Sequence, residues 1–259
     1  MSKILKVKAR QVFDSRGNPT VEAEVYTKNI SSSAICPSGA STGTYEAFEK
    51  RDKNNKRYLG KSVFSAINLI NTKISKKIKG QNVHNQERID ALLINLDGTR
   101  QKTNLGANSI LAVSMATKKL SAKVKKLPLY KTFFIKNNFQ LPYPLMNIIN
   151  GGAHADNGLR IQEFMIRPDK AKTFSEAMRI CFVVIKNLSK LIKNKGLSTS
   201  VGDEGGFAPM ISSNNQALDL IVSAIKKSGF KNGKDVSICL DVAANELFKN
   251  KKYSIHSKN

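Results

Sequence analysis

Residues able to do chemistry gather in a few places along this 259-residue chain. The densest is VGDEGGFAP, residues 201–209, where the carboxylates of Asp203 and Glu204 stand between Gly202 and the pair Gly205 and Gly206. Glycine lets a backbone take positive φ and approach a ligand closely, so this stretch reads as an acid/base loop or, more plainly, as a solvated turn. Three further groups share its setting. His154 in NGGAHADN, Glu163 in IQEFMI and Asp241 at the end of VSICLD lie at or just beyond the ends of apolar runs, or in Gly-rich loops. Paired carboxylates can divide acid and base roles, and a strand-end aspartate can serve a divalent cation. Taken singly, the histidine reads as loop structure and the aspartate as a helix cap. Brought to one mouth, the four would make a site.

The elements that must position them follow from periodicity. Leu5, Val7 and Ala9 alternate with Lys6, Lys8 and Arg10, which predicts a half-buried strand over 4–13. The turn DSRGNP leads to a second strand, with Val21, Ala23 and Val25 opposed to Glu22, Glu24 and Tyr26, and a third follows over 30–36 as an antiparallel meander. PSGASTGTY, residues 37–45, is a loop whose hydroxyls could act as ligands, although it lacks the GxxxxGK[ST] pattern. Val63, Ala66, Ile67, Ile70, Ile74 and Ile78 then fall on one face of a helix closed by Gly80, and helices are predicted over 85–96 and 107–124. Pro128, the polar stretch 136–140, Pro142 and Pro144 mark the end of an α+β domain.

Beyond that boundary come short strands over 145–150 and 161–166, the latter carrying Gln162 and Glu163. Thr173 and Glu176 form a capping box for a helix whose Ala177, Cys181, Val184, Leu188 and Leu191 share a face until Gly196. A helix over 215–227 and a buried strand over 236–241 complete the pattern. In a parallel barrel the carboxyl end of that last strand, with Asp241, faces the active site.

Composition narrows the partners. No apolar run is long enough to span a bilayer, and the N-terminus alternates where a signal peptide would be continuously apolar, so a soluble, cytoplasmic protein is expected. Cys36, Cys181 and Cys239 are too far apart for a disulfide framework or zinc site and read as buried thiols. The net charge of +24 raises nucleic acid as a partner. Its lysines, however, are scattered in short pairs such as Lys76–Lys77 and Lys226–Lys227 without interleaved aromatics, which favours solvated faces and, at most, the gathering of a small anionic substrate.

DSRGNPTVEAEV, PSGASTG, LGANSILAVS, MNIINGGAHADN, IQEFMI, VGDEGGFAP and the LD at 240–241, in that order, resemble the enolase family from one end of the chain to the other. The resemblance implies an N-terminal α+β capping domain over 1–137 and, over 138–259, the first part of a ββαα(βα)6 barrel of the TIM-like type. It implies a carbon–oxygen lyase of glycolysis, the reversible dehydration of 2-phosphoglycerate to phosphoenolpyruvate with Mg2+, and a homodimer at full length. Position by position, it makes Glu204 the proton donor, with its partner carboxylate Glu163 and the loop histidine His154 also catalytic, Gln162, His154 and Glu163 substrate-binding residues, Asp241 the first ligand of the tighter magnesium and Ser41 a loop ligand of the second.

The family's two further magnesium carboxylates, its lysine base and its later substrate-binding residues have no counterpart in this sequence, so a truncated product or fragment, inactive alone, is expected. Two alternatives belong to other classes. One is a non-catalytic remnant whose basic N-terminal domain binds RNA or another subunit; the other is completion of the barrel by a separate chain.

Overall fold

The computed structural model describes residues 2–39, 41–133 and 139–255. The chain divides into two compact units, the first ending at Asn138 and the second beginning at Phe139. The expected boundary at 137/138, most of the polar stretch 136–140, Ala40 of the serine-rich loop and the last four residues of the tail lie outside the described residues.

In the first unit, β1 (Lys6–Phe13), β2 (Pro19–Tyr26) and β3 (Ser31–Cys36) form the expected antiparallel meander in the order β1-β2-β3. The register sets Val7 opposite Val25 and Ala23 opposite Ala34, so one face is continuously apolar and packs into a core with Ile70, Ile74, Ile89, Leu93 and Leu120. Burying each such large aliphatic side chain contributes roughly 1.5–3 kcal/mol.

The expected single helix over 63–78 is interrupted. α1 (Phe64–Leu69) passes into a π-helical turn, Ile70–Ile74, before α2 (Ser75–Ile78). Apolar spacing could not show this, because Ile70 and Ile74 stay fully buried through the wider turn. What the insertion accompanies is a polar clamp on the free edge of β1. Asn71 accepts from the Ala9 N–H at 2.7 Å and donates to the Ala9 carbonyl at 3.2 Å, while Ser75 Oγ accepts from the Val7 N–H at 3.1 Å. An open strand edge is thereby protected from pairing with another chain. α3 (Gln86–Asp97), capped by Asn85, and α4 (Ala107–Val124) complete this unit.

The second unit is built on β4 (Met146–Asn150), β5 (Glu163–Arg167) and β6 (Ser237–Asp241). They pair in the order β4-β5-β6 and both pairings are antiparallel, not the parallel arrangement used above to orient Asp241. The functional consequence survives the correction. Because β5 runs against its neighbours, its first residue, Glu163, lies opposite Asn150 at the end of β4 and Asp241 at the end of β6. β5 begins at Glu163, so Ile161 and Gln162 belong to the preceding loop.

α5 (Phe174–Asn194) and α6 (Asn214–Lys227) cover the sheet, with Ile180, Val184 and Leu188 meeting Ile149, Phe164 and Ile166 in one core. The capping box is half formed: Thr173 Oγ1 accepts from the Glu176 N–H at 3.2 Å, but the Glu176 carboxylate reaches the Lys172 N–H at 3.5 Å, not that of Thr173. A short α7 (Ala244–Leu247) and a two-residue hairpin, β7 (Phe248–Lys249) with β8 (Lys252–Tyr253), follow β6. Of the three thiols only Cys181 is buried; Cys36 and Cys239 are half-buried, and all three are unpaired. Among the described residues no helix is long and apolar enough to cross a membrane.

Candidate active site

The carboxyl end of β4 is where the second unit's loops converge. Residues 201–207 are stitched onto it: the Phe207 N–H donates to the Ile148 carbonyl and the Asn150 N–H to the Phe207 carbonyl, each at 2.9 Å. Within the loop, the Gly202 N–H reaches the Gly206 carbonyl at 2.9 Å, and the Asp203 N–H reaches the carbonyl of His154 at 3.1 Å. Only Gly205 of these glycines has positive φ, at 81°. Gly202 and Gly206 are required for closeness instead, since a Cβ at the first would collide with the His154 carbonyl and at the second with the Asn150 side chain.

This loop delivers Glu204 to Glu163 and His154. One ligating atom from each of the three lies within 4.8 Å of the others. His154 Nδ1 is 3.5 Å from Glu204 Oε2 and 3.7 Å from Glu163 Oε1, close enough for ion pairing if the ring is protonated but without hydrogen-bond geometry. Glu163 and His154 are largely buried, whereas 44% of the Glu204 side chain is exposed. Asn147 Nδ2 donates to Glu204 Oε2 at 3.1 Å and fixes its carboxylate.

Burial pushes the Glu163 carboxyl up to about 7, helped by its hydrogen bond to Glu204 and by the charges of Glu204 and Asp241, and opposed by a hydrogen bond from Gln162. Such a shift has a sign in stability. Between the ordinary value of 4.5 and about 7, the unfolded chain loses this proton while the folded one keeps it, so this group's contribution to stability falls as pH rises through that window. Glu163→Gln, an uncharged isostere, is expected to stabilise the chain relative to wild type at pH 8 but not at pH 4, by about 1–2 kcal/mol after allowing for solvent screening. Urea denaturation across this range measures it, and a difference independent of pH would remove Glu163 as the holder of that proton.

The remaining expected residues fall in two places. Gln162 is buried beside Glu163. Asp241, exposed across the strand pair from Glu163, accepts from the Ala243 N–H through Oδ1 at 3.0 Å. Ser41 lies in the first unit, on the loop whose Ser38 is tied to Glu49 and Arg51. Sequence reading missed Asn147 and Asn150. Asn147 Oδ1, both polar side-chain atoms of Asn150, His154 Nδ1 and Gln162 Oε1 are buried without a hydrogen-bond partner among the described residues. Buried groups of this kind are ordinarily paired by solvent or ligand. The signal was available: asparagine is disfavoured in strands, yet MNIIN holds two in five residues.

Magnesium prefers hard oxygen donors in octahedral geometry. Asp241 fits as one such ligand, whereas the cluster with His154 at its centre is better suited to handling a proton than to caging this ion.

Comparison with known proteins bears on the whole chain. The family model for the enolase N-terminal domain matches residues 4–133, and that for the enolase C-terminal TIM barrel domain matches residues 138–259. The chain belongs to the enolase family. Over 258 of its 259 residues it is 83% identical to a protein named Enolase from Pelagibacter ubique (strain HTCC1062), and it spans 62% of that relative's length. The enolase family accounts for an α+β unit followed by part of a TIM barrel.

Proposed function

We propose that residues 139–255 carry the acid side of an enolase centre, acting in the interconversion of 2-phosphoglycerate and phosphoenolpyruvate. The observation that carries this reading is the convergence of His154, Glu163 and Glu204 within 4.8 Å at the end of the sheet. Two carboxyls so close, one of them buried, retain a proton near neutrality, which is what protonating a departing hydroxyl requires. The proton belongs to the pair. Glu204 is the more exposed member and is assigned as the donor, with Glu163 as its buried reservoir. Gln162 and His154 would bind the substrate, their unpaired buried atoms turned to its polar groups. Mg2+, held in part by Asp241, would supply positive charge opposite the substrate's carboxylate and phosphate.

Proton abstraction next to that carboxylate needs a base, and the resemblance assigns the lysine that performs it to no position in this sequence. The 259-residue chain is therefore expected to form no phosphoenolpyruvate above background in a coupled assay. Joined to the part of the Pelagibacter relative that it does not match, it is expected to become active. Turnover by the isolated chain, or a folded but inactive chimera, would overturn the assignment.

A further inference from the structure

The charge of +24 is unexplained by chemistry at the end of the second unit's sheet. Along the sequence the lysines look scattered, but folding gathers four of them, from three separate segments of the first unit. Lys3, Lys28, Lys123 and Lys126 line a groove of about 650 Å³, within the size range of sites that enclose small ligands. Its floor is aliphatic, made by Leu5, Ile30 and Val124, and no carboxylate or aromatic ring lines it among the described residues.

Three features set this groove apart from a solvated lysine face. Lys123 is held in place, its ammonium donating to the Ser31 carbonyl at 3.2 Å. Lys126 stands two residues beyond the end of α4 with φ of 55°, a conformation in which glycine is favoured. Leu5 and Ile30 are 47% and 37% exposed beside the ammonium groups. Like charges around an uncovered apolar floor are unfavourable alone, and both costs are offset by a ligand that is anionic and aliphatic together.

We infer that this groove binds a short acidic peptide segment, its carboxylates on the lysine rim and its aliphatic side chains on the floor. A nucleic acid fits less well, because non-specific single-strand binding draws on base stacking against aromatic side chains and this lining has none.

The test uses the full 259-residue chain and a fluorescein-labelled Glu-Leu-Glu-Leu-Glu peptide, read by fluorescence polarisation. Saturable binding is expected, weakened about tenfold by Lys28→Glu with Lys123→Glu and about threefold by the milder Lys28→Gln with Lys123→Gln. All four positions tested, including the controls below, are exposed, so every variant should remain folded, the charge reversals in the last turns of α4 and α6 lowering the melting temperature slightly. Lys226→Glu with Lys227→Glu, in the second unit, should leave binding as it was. Replacing both leucines of the peptide by serine should weaken binding about fivefold. The inference is overturned by absence of saturable binding, by an equal loss in the second-unit control, by equal binding of the serine peptide, or by tighter binding of a twelve-residue polyuridylate lost in the same variants.

Discussion

In the full-length chimera, Glu204→Gln is expected to lower kcat by about 10²–10⁴-fold, the range that a positioned general acid contributes. Glutamine keeps the shape of the side chain and can still meet Asn147, which now donates to Glu204 Oε2 at 3.1 Å, but it has no proton to give. The Glu204 side chain is 44% exposed, so the variant should fold as stably as wild type within about 0.5 kcal/mol. KM should change little, because the lost interaction belongs to the transition state. Asp203→Asn is the control. The Asp203 contact that matters is its backbone N–H to the His154 carbonyl, which asparagine retains, so kcat should stay within about threefold of wild type. A Glu204→Gln chimera with near wild-type kcat would remove Glu204 as the donor.

What could be read in the sequence was what neighbouring residues decide among themselves. α4 and α6 follow from apolar spacing and from glycine at their ends or entries, because helix faces and stops are local properties. Strand direction is not local. The short apolar runs MNIIN and EFMIR mark strands but carry no information about which neighbour runs which way, and both pairings proved antiparallel. The π turn at Ile70–Ile74 was hidden for a related reason: the residue it brings to bear, Asn71, answers a need of β1 sixty residues earlier. The lysine groove was hidden because its members come from opposite ends of the first unit. In the acid loop the residue types were legible as Gly-rich and acidic, but not which glycine does what.

That last distinction gives a test of how the loop is held. Gly202→Ala is expected to destabilise the chain by about 1–3 kcal/mol, through overpacking. Its φ lies outside the left-handed region, so the backbone itself would tolerate alanine; the difficulty is space, since the new methyl would fall on the His154 carbonyl and the Asn150 side chain. A backbone carbonyl cannot swing aside as a long side chain can, so His154 or the loop must move, and the hydrogen bond from the Asp203 N–H is the one between them. Gly205→Ala supplies the contrast. There φ is 81° with open space around the position, and the expected cost is local strain of about 1–2 kcal/mol that leaves His154 where it is. The two variants can therefore lose similar stability while differing in hydrogen exchange: the Asp203 amide should exchange faster in Gly202→Ala and near the wild-type rate in Gly205→Ala. Unchanged melting and unchanged exchange in Gly202→Ala would mean that the close approach of these two segments does not hold Glu204 against Glu163.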